Sequence, residues 1–279
     1  MVPGEPTLWR RLRRAALTSL RGSHAYFRFE SRHARINPEL ASLRGSGKGK
    51  RCVIMGGGPS LKAVDPDLLK DEVTFGVNGI FLSEYWLGFL PTYYVVEDAL
   101  VVEDRADAIA SLEGPTKIYG YVYRNRIRET GDVRYANVLY DYSAYPEFPY
   151  FSADASRCLW VGGTVSYLCL QLAYYMEFDP VILVGFDHNY SEPADVVKGS
   201  NQNEWTSQSD DPNHFHPDYF GKGKRWHAPR TDRMELAYQK ARAEFDKVGR
   251  KVINATEGGK LEVFERVPFD MLFARKVGQ

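Results

Sequence analysis

Four short apolar runs each end in small or polar residues, and this repetition constrains the fold more than any other feature. RCVIM (Arg51–Met55) runs into GGGPS, and VTFGV (Val73–Val77) runs into Asn78. TYYVV (Thr92–Val96) ends at Glu97-Asp98, and VILVG (Val181–Gly185) ends at Phe186-Asp187. Such runs suit strands buried on both faces. Lys117–Tyr123 and Lys251–Asn254 read as further strands, and Leu61–Leu69, Thr164–Met176 and Asp232–Val248 as helices. The alternation predicts an α/β fold: a Rossmann-like, mostly parallel sheet with helices on both faces.

Residues 188–230 break the pattern. They are rich in Asn, Asp, Ser, Gly, His and aromatic residues and lack a period. A loop of that length in a compact domain is usually a binding element or disordered, and its aromatics argue against disorder. It is therefore expected to be a long lid-like insertion before the C-terminal helix. The division that follows is a basic helical arm and linker over residues 1–50 and a Rossmann-like domain over 51–279. Within the arm, LWRRLRRAALTSL (Leu8–Leu20) is a basic amphipathic helix. It suits peripheral contact with an anionic membrane through residues 8–21, or packing on the domain with its arginines in solvent. GSGKGK (Gly45–Lys50) reads as a flexible hinge.

Composition narrows the class. At 44% hydrophobic and 26% charged residues, the 279-residue chain has the proportions of a folded protein rather than a disordered or collagen-like one. No uninterrupted apolar stretch reaches transmembrane length, and no signal peptide is visible. Cys52, Cys158 and Cys169 lack metal or redox spacing, so buried thiols in a reducing cytoplasm are expected. Residues 1–51 carry twelve Lys and Arg against three Asp and Glu, and the remainder an equal acidic excess. An acidic body is not a nucleic-acid surface, so no nucleic-acid partner is expected.

Ligands of open α/β sheets bind outside the carboxyl ends of the strands. Gly56, Gly57, Gly58, Pro59 and Ser60 follow the first strand, where glycines admit a phosphate to the backbone amides, or simply make a tight turn. They form neither GxGxxG nor a Walker motif. Asn78 and Asp98 end the next two strands and suit either ligand contacts or helix caps. Gly163 and Thr164 open the apolar helix, a second N-terminus for an anion. Asp187 suits substrate, Mg²⁺ or a turn. His214-Phe215-His216-Pro217-Asp218 has metal-like spacing, but polar contacts within the insertion are the preferred reading. His227 precedes the C-terminal helix, where it suits a general base or a solvated loop position.

Taken together, CVIMGGGPSLKAVD, FGVNGIF, GGTVSYLCLQLAYYMEFDPVILVGFD and HAPRTDRMELAYQKAR resemble the 6-hydroxymethylpterin diphosphokinase MptE-like family. That family is similar to the motility accessory factors of flagellin glycosylation and to bacterial sialyltransferases using CMP-N-acetylneuraminate. The resemblance covers about residues 51–257. It implies a nucleotide-dependent transferase, foremost a sialyltransferase-like glycosyltransferase needing no cofactor. His227 matches the catalytic histidine of H-x-x-x-T-D-x-x-x-L, with Asp187 at the G-x-D strand end. Asn78, Gly163 and Thr164 match donor-binding positions, and Gly57 stands where the sialyltransferases have Asn. Two tyrosines hold the leaving phosphate there; Asn189 stands at the first of these positions, with Tyr190 one place on, and Tyr219 is taken for the second. The alternatives are a 6-hydroxymethylpterin diphosphokinase using ATP, with Mg²⁺ on Asp98 and Asp187, and a non-catalytic nucleotide-sugar-binding protein of surface-glycan assembly. The implied partners are a nucleotide-linked donor and a glycan or small-molecule acceptor. The implied location is the cytoplasm or the inner face of the membrane.

Overall fold

The computed structural model describes residues 38–140, 149–193, 195–199 and 203–273. The predicted arm helix at 8–21 lies outside them. Cys52–Met55 (β1) has no exposed residue and forms the middle of an eight-stranded sheet. On one side lie Thr74–Val77 (β2), Tyr93–Val96 (β3), Thr116–Gly120 (β4) and Val133–Ala136 (β5) in succession. Two short strands, Val138–Leu139 (β6) and Leu159–Trp160 (β7), pair separately. On the other side of β1 lie Val181–Val184 (β8), Val252–Asn254 (β12) and Glu265–Arg266 (β13). Every neighbouring pair in the large sheet is parallel. The chain thus leaves β1 in one direction and returns to its opposite edge at β8. This is the Rossmann-like architecture that the apolar runs predict, with its switch point between β1 and β8.

Among the described residues three helices of ten or more residues cover the sheet: Ala99–Ala110 (α1), Ser166–Tyr175 (α2) and Thr231–Lys247 (α3). The strand pleat assigns them. Cys52 and Ile54 point into a core with Leu168, Leu172, Ala237 and Phe245 of α2 and α3. Val53 and Met55 point into a second core with Val101, Val102 and Ile109 of α1. Among the described residues no helix is long and apolar enough to cross a membrane.

The insertion differs from a patternless loop. Val197–Lys198 (β9), Glu204–Thr206 (β10) and Arg225–His227 (β11) form a small antiparallel sheet. Its Trp205 and Trp226 meet edge to face at 5.1 Å, and Phe220 stacks on Trp226 at 5.3 Å. Phe215, Tyr219, Phe220 and Trp226 are buried in the same core as α1. Burying an aromatic of this size is worth roughly 2 kcal/mol, which anchors a segment poor in regular structure.

Two expectations are corrected. The 61–69 segment is not an α-helix but two 3₁₀ turns, Pro59–Ala63 and Pro66–Leu68, because Pro66 interrupts the run and Asp65 accepts the Asp67 amide as a fresh cap. Gly45–Lys50 is no loose hinge. Gly45 and Gly47 donate their amides to Tyr175 and Met176 carbonyls at the end of α2. A Cβ on Gly47 would lie 2.5 Å from the Phe178 ring, so this glycine serves close approach, while Gly45 and Gly49 take left-handed conformations at φ 66° and 74°. Leu40 and Leu43 are buried, so the described fold begins before residue 51.

Candidate active site

The switch point brings two turns together. Gly185 bends with φ 73°, a conformation that glycine adopts without strain. Its carbonyl accepts the Gly58 amide at 2.9 Å, and Gly56 donates to Val184 at 2.8 Å. Asp187 then reaches back across the turn. Its carboxylate accepts the Ser60 hydroxyl at 2.6 Å and the Ser60 amide at 3.3 Å. A Cβ on Gly58 would overlap that carboxylate. Several amides expected to cradle a phosphate are therefore spent on the neighbouring strand tip, and Asp187 faces Ser60 as a structural acceptor.

Two connected chambers open beside these turns. One, of about 40 Å³, is lined by Gly56, Gly57, Gly58, Thr164, Asp187, His188, Tyr190 and His214 among others. The second, of about 130 Å³, is lined by Asn78, Glu97, Asp98, Gly163, Thr164, Tyr190, His214 and His227 among others. Thr164, Tyr190 and His214 belong to both. A larger cleft of about 600 Å³ lies beside β12 and β13. It contains neither histidine dyad, and its Arg266 donates to the Thr256 and Leu261 carbonyls.

His227 sits at the end of β11, with its Nδ1 2.9 Å from Asp98 Oδ2. The other oxygen of Asp98 accepts the Leu100 amide at 2.8 Å, so this residue both caps α1 and orients the imidazole. An acceptor at Nδ1 puts the proton there and leaves the Nε2 lone pair outward. The hydrogen bond that Nδ1–H donates to Asp98 raises the His227 pKa against the opposing effect of burial, with the Asp98, Glu97 and Glu204 charges adding to the rise. The side chain is 47% exposed, open to an incoming hydroxyl. Glu97 beside it is half-buried. Burial, then the Asp98 charge, push its pKa up to about 8 against the pull of His227.

Asn78 adopts φ 48°, a left-handed conformation that Asn tolerates better than most residues. Its side-chain oxygen is buried without a hydrogen-bond partner at the chamber wall, while its backbone carbonyl accepts the Tyr94 hydroxyl at 2.6 Å. Thr164 accepts the Ser166 amide at 3.3 Å at the start of α2. Tyr190 lines both chambers, and burial raises its pKa to about 12.

The remaining predicted residues fall elsewhere. Tyr219 lines neither chamber: its hydroxyl donates to the Val77 carbonyl at 3.2 Å, and its ring lies under His214. Pro59 starts a 3₁₀ turn, and Ser60 faces Asp187 and the larger cleft. Asp98 and Asp187 line different chambers, each with its oxygens engaged. Among the described residues no group of three or more His, Cys, Asp or Glu could hold a metal ion. His214 and His216 also diverge: His214 Nδ1 lies 2.7 Å from Asp211, whereas His216 accepts the Asp218 amide.

Sequence reasoning missed Glu97, His188 and the partnership of His214 with Asp211. The D-x-x-H spacing was the available signal for the last. Glu97 was visible as a strand end, but its protonation depends on burial that no linear pattern reports.

No curated protein matches the chain. Among solved structures, the MAf glycosyltransferase from Magnetospirillum magneticum AMB-1 is similar at 14% identity with a TM-score of 0.44. The match covers 84% of this chain and 38% of that one, so the chain spans well under half the length of that protein. The family model described as 6-hydroxymethylpterin diphosphokinase MptE-like matches residues 30–193, more than half of the sequence. The chain belongs to the 6-hydroxymethylpterin diphosphokinase MptE-like family.

Proposed function

We propose that the protein is a nucleotide-dependent transferase that moves a sugar from a CMP-type donor to a hydroxyl of a glycan or small molecule. The observation that carries this reading is the His227–Asp98 pair. It stands at a strand tip beside the unpartnered Asn78 oxygen, in a crevice continuous with the glycine turn at the switch point. His227 Nε2 takes the proton of the acceptor hydroxyl as its oxygen attacks the anomeric carbon. The bond from that carbon to the donor phosphate breaks, and its electron pair stays on the phosphate oxygen. Asp98 holds the ring and stabilises the imidazolium that forms. Glu97, neutral near pH 7, spares the site a second carboxylate charge. Asn78, Gly163, Thr164 and Tyr190 bind polar groups of the donor.

The chambers, about 40 and 130 Å³, are smaller than the roughly 300 Å³ at which ligand pockets begin. Donor entry therefore requires the 188–230 insertion to move outward, and its return excludes water. The test is CMP release from CMP-N-acetylneuraminate, with CMP affinity measured separately. His227→Ala is expected to cut turnover about a hundredfold or more and leave CMP affinity unchanged. Unchanged turnover overturns the base assignment.

The family match favours a second reading, pyrophosphoryl transfer from ATP to a hydroxymethylpterin. Asp98 and Asp187 line different chambers and their oxygens already accept hydrogen bonds, which weighs against their sharing one Mg²⁺ for it. Product formation from ATP and 6-hydroxymethylpterin that EDTA abolishes would favour this reading over the first.

A further inference from the structure

We propose that His214, supported by Asp211, is the phosphate-holding residue of this site. The inference rests on the transferase reading but applies to either donor, because both glycosyl and pyrophosphoryl transfer leave a nucleotide phosphate oxygen behind.

His214 is built like a fixed functional group. Asp211 is buried, and its carboxylate accepts the Asn213 amide at 2.8 Å and the Phe220 amide at 2.9 Å while holding His214 Nδ1 at 2.7 Å. The imidazole lies flat on Tyr219 at 4.2 Å and meets the Phe220 ring edge-on at 5.1 Å. Its position is therefore set from three sides. Among the described residues Nε2 takes no hydrogen bond, and the side chain lines both chambers.

The glycine turn is shaped around this ring. Phe215 donates its amide to the Gly57 carbonyl at 2.9 Å, which ties the insertion to the turn. A Cβ on Gly57 would stand 2.8 Å from His214 Cδ2 and 2.8 Å from the Tyr219 hydroxyl. The missing side chain at position 57 is thus space taken by the imidazole and the ring beneath it.

Charge makes the same assignment. Neither chamber has a lysine or arginine among its lining residues. Among the described residues, the side chains in these linings able to carry positive charge are His188, His214 and His227. Burial lowers the pKa of His188, and its Nε2 faces Glu235 at 3.4 Å. His227 serves the acceptor end. His214 stands between the chambers, facing Asp211, Tyr190 and Tyr219, with Asp187 at the far wall. With Asp211 on Nδ1, Nε2 is the ring nitrogen left to meet a phosphate oxygen from either chamber.

The test is calorimetric titration of CMP, AMP, inorganic pyrophosphate and cytidine into the wild type and the variants His214→Gln, Asp211→Asn, Gly57→Ala and His227→Ala. Removing His214 should weaken CMP, AMP or pyrophosphate roughly ten- to hundredfold and leave cytidine unchanged. Asp211→Asn and Gly57→Ala should weaken the same ligands less, and His227→Ala should not weaken them. Phosphate affinity that survives His214→Gln overturns the proposal, as does a wild type that binds none of the phosphates. Pyrophosphate binding that depends on His214, with no binding of CMP or AMP, sustains the phosphate site and overturns the nucleotide reading. Should the variants misfold, ¹⁵N-histidine spectra of the wild type decide. The His214 ring nitrogens must shift on adding pyrophosphate, and unmoved signals overturn the proposal.

Discussion

The parallel sheet and the 188–230 insertion are held together by different chemistry, and they contribute different parts of the site. The middle of the sheet is closed to solvent: every residue of β1, β2 and β8 is buried, and β1 pairs with β8 along its full length. The insertion combines an aromatic cluster with polar side chains that replace missing regular structure. Asn213 accepts the Ser191 amide at 2.8 Å, Trp226 donates to Ser207 at 3.0 Å, and Arg225 grips Asp104 of α1 through its backbone and its guanidinium. The sheet supplies the turns, Asn78 and Asp98. The insertion supplies His214 and His227. The floor of the crevice is thus set by a cooperative core, and its imidazoles by a segment whose contacts can break separately.

The largest expected effect comes from attacking the sheet. Leu183→Ala removes a fully buried side chain from β8 and should cost roughly 2–5 kcal/mol in denaturant unfolding. Sheet and insertion should melt together, and an insertion that outlasts the sheet would break the comparison.

Proton linkage gives the next effect. Glu97 has an ordinary pKa of 4.5 and a folded value of about 8. The folded chain binds the extra proton between these values, so stability falls as pH rises from about 4.5 to about 8. His227, raised from its ordinary 6.5, adds a loss of the same sign above that pH. Glu97→Gln should flatten the slope below about pH 6.5, a difference of about 1 kcal/mol or more between pH 5 and 8. Equal slopes in wild type and variant would remove Glu97 from the account.

Arg225→Ala should have the smallest global effect, within about 1 kcal/mol, because this ion pair is part-exposed. Amide exchange over residues 204–227 should nevertheless quicken while that of β1 and β8 holds. Uniform acceleration would mean that the two regions open as one.

The same contrast decides what could be read from the sequence. The strands of the body were legible because burial on both faces leaves a run of apolar letters, and their ends therefore located Asn78, Asp98 and Asp187. Gly45–Lys50 misled because the composition of a linker is also that of a segment pressed against Phe178. Tyr219 was misplaced because an aromatic in an aperiodic stretch gives no direction: it serves the core below His214. Asp211 was passed over because its importance lies in the number of groups that converge on it, which is a property of the closed loop.

Asp98 carries a consequence for any experiment at this position. One of its oxygens starts a helix and the other steers an imidazole, so a replacement that harms the first duty is read at the bench as harming the second. Only an exchange that keeps an oxygen for the Leu100 amide while withdrawing the negative charge, Asp98→Asn, separates architecture from reactivity.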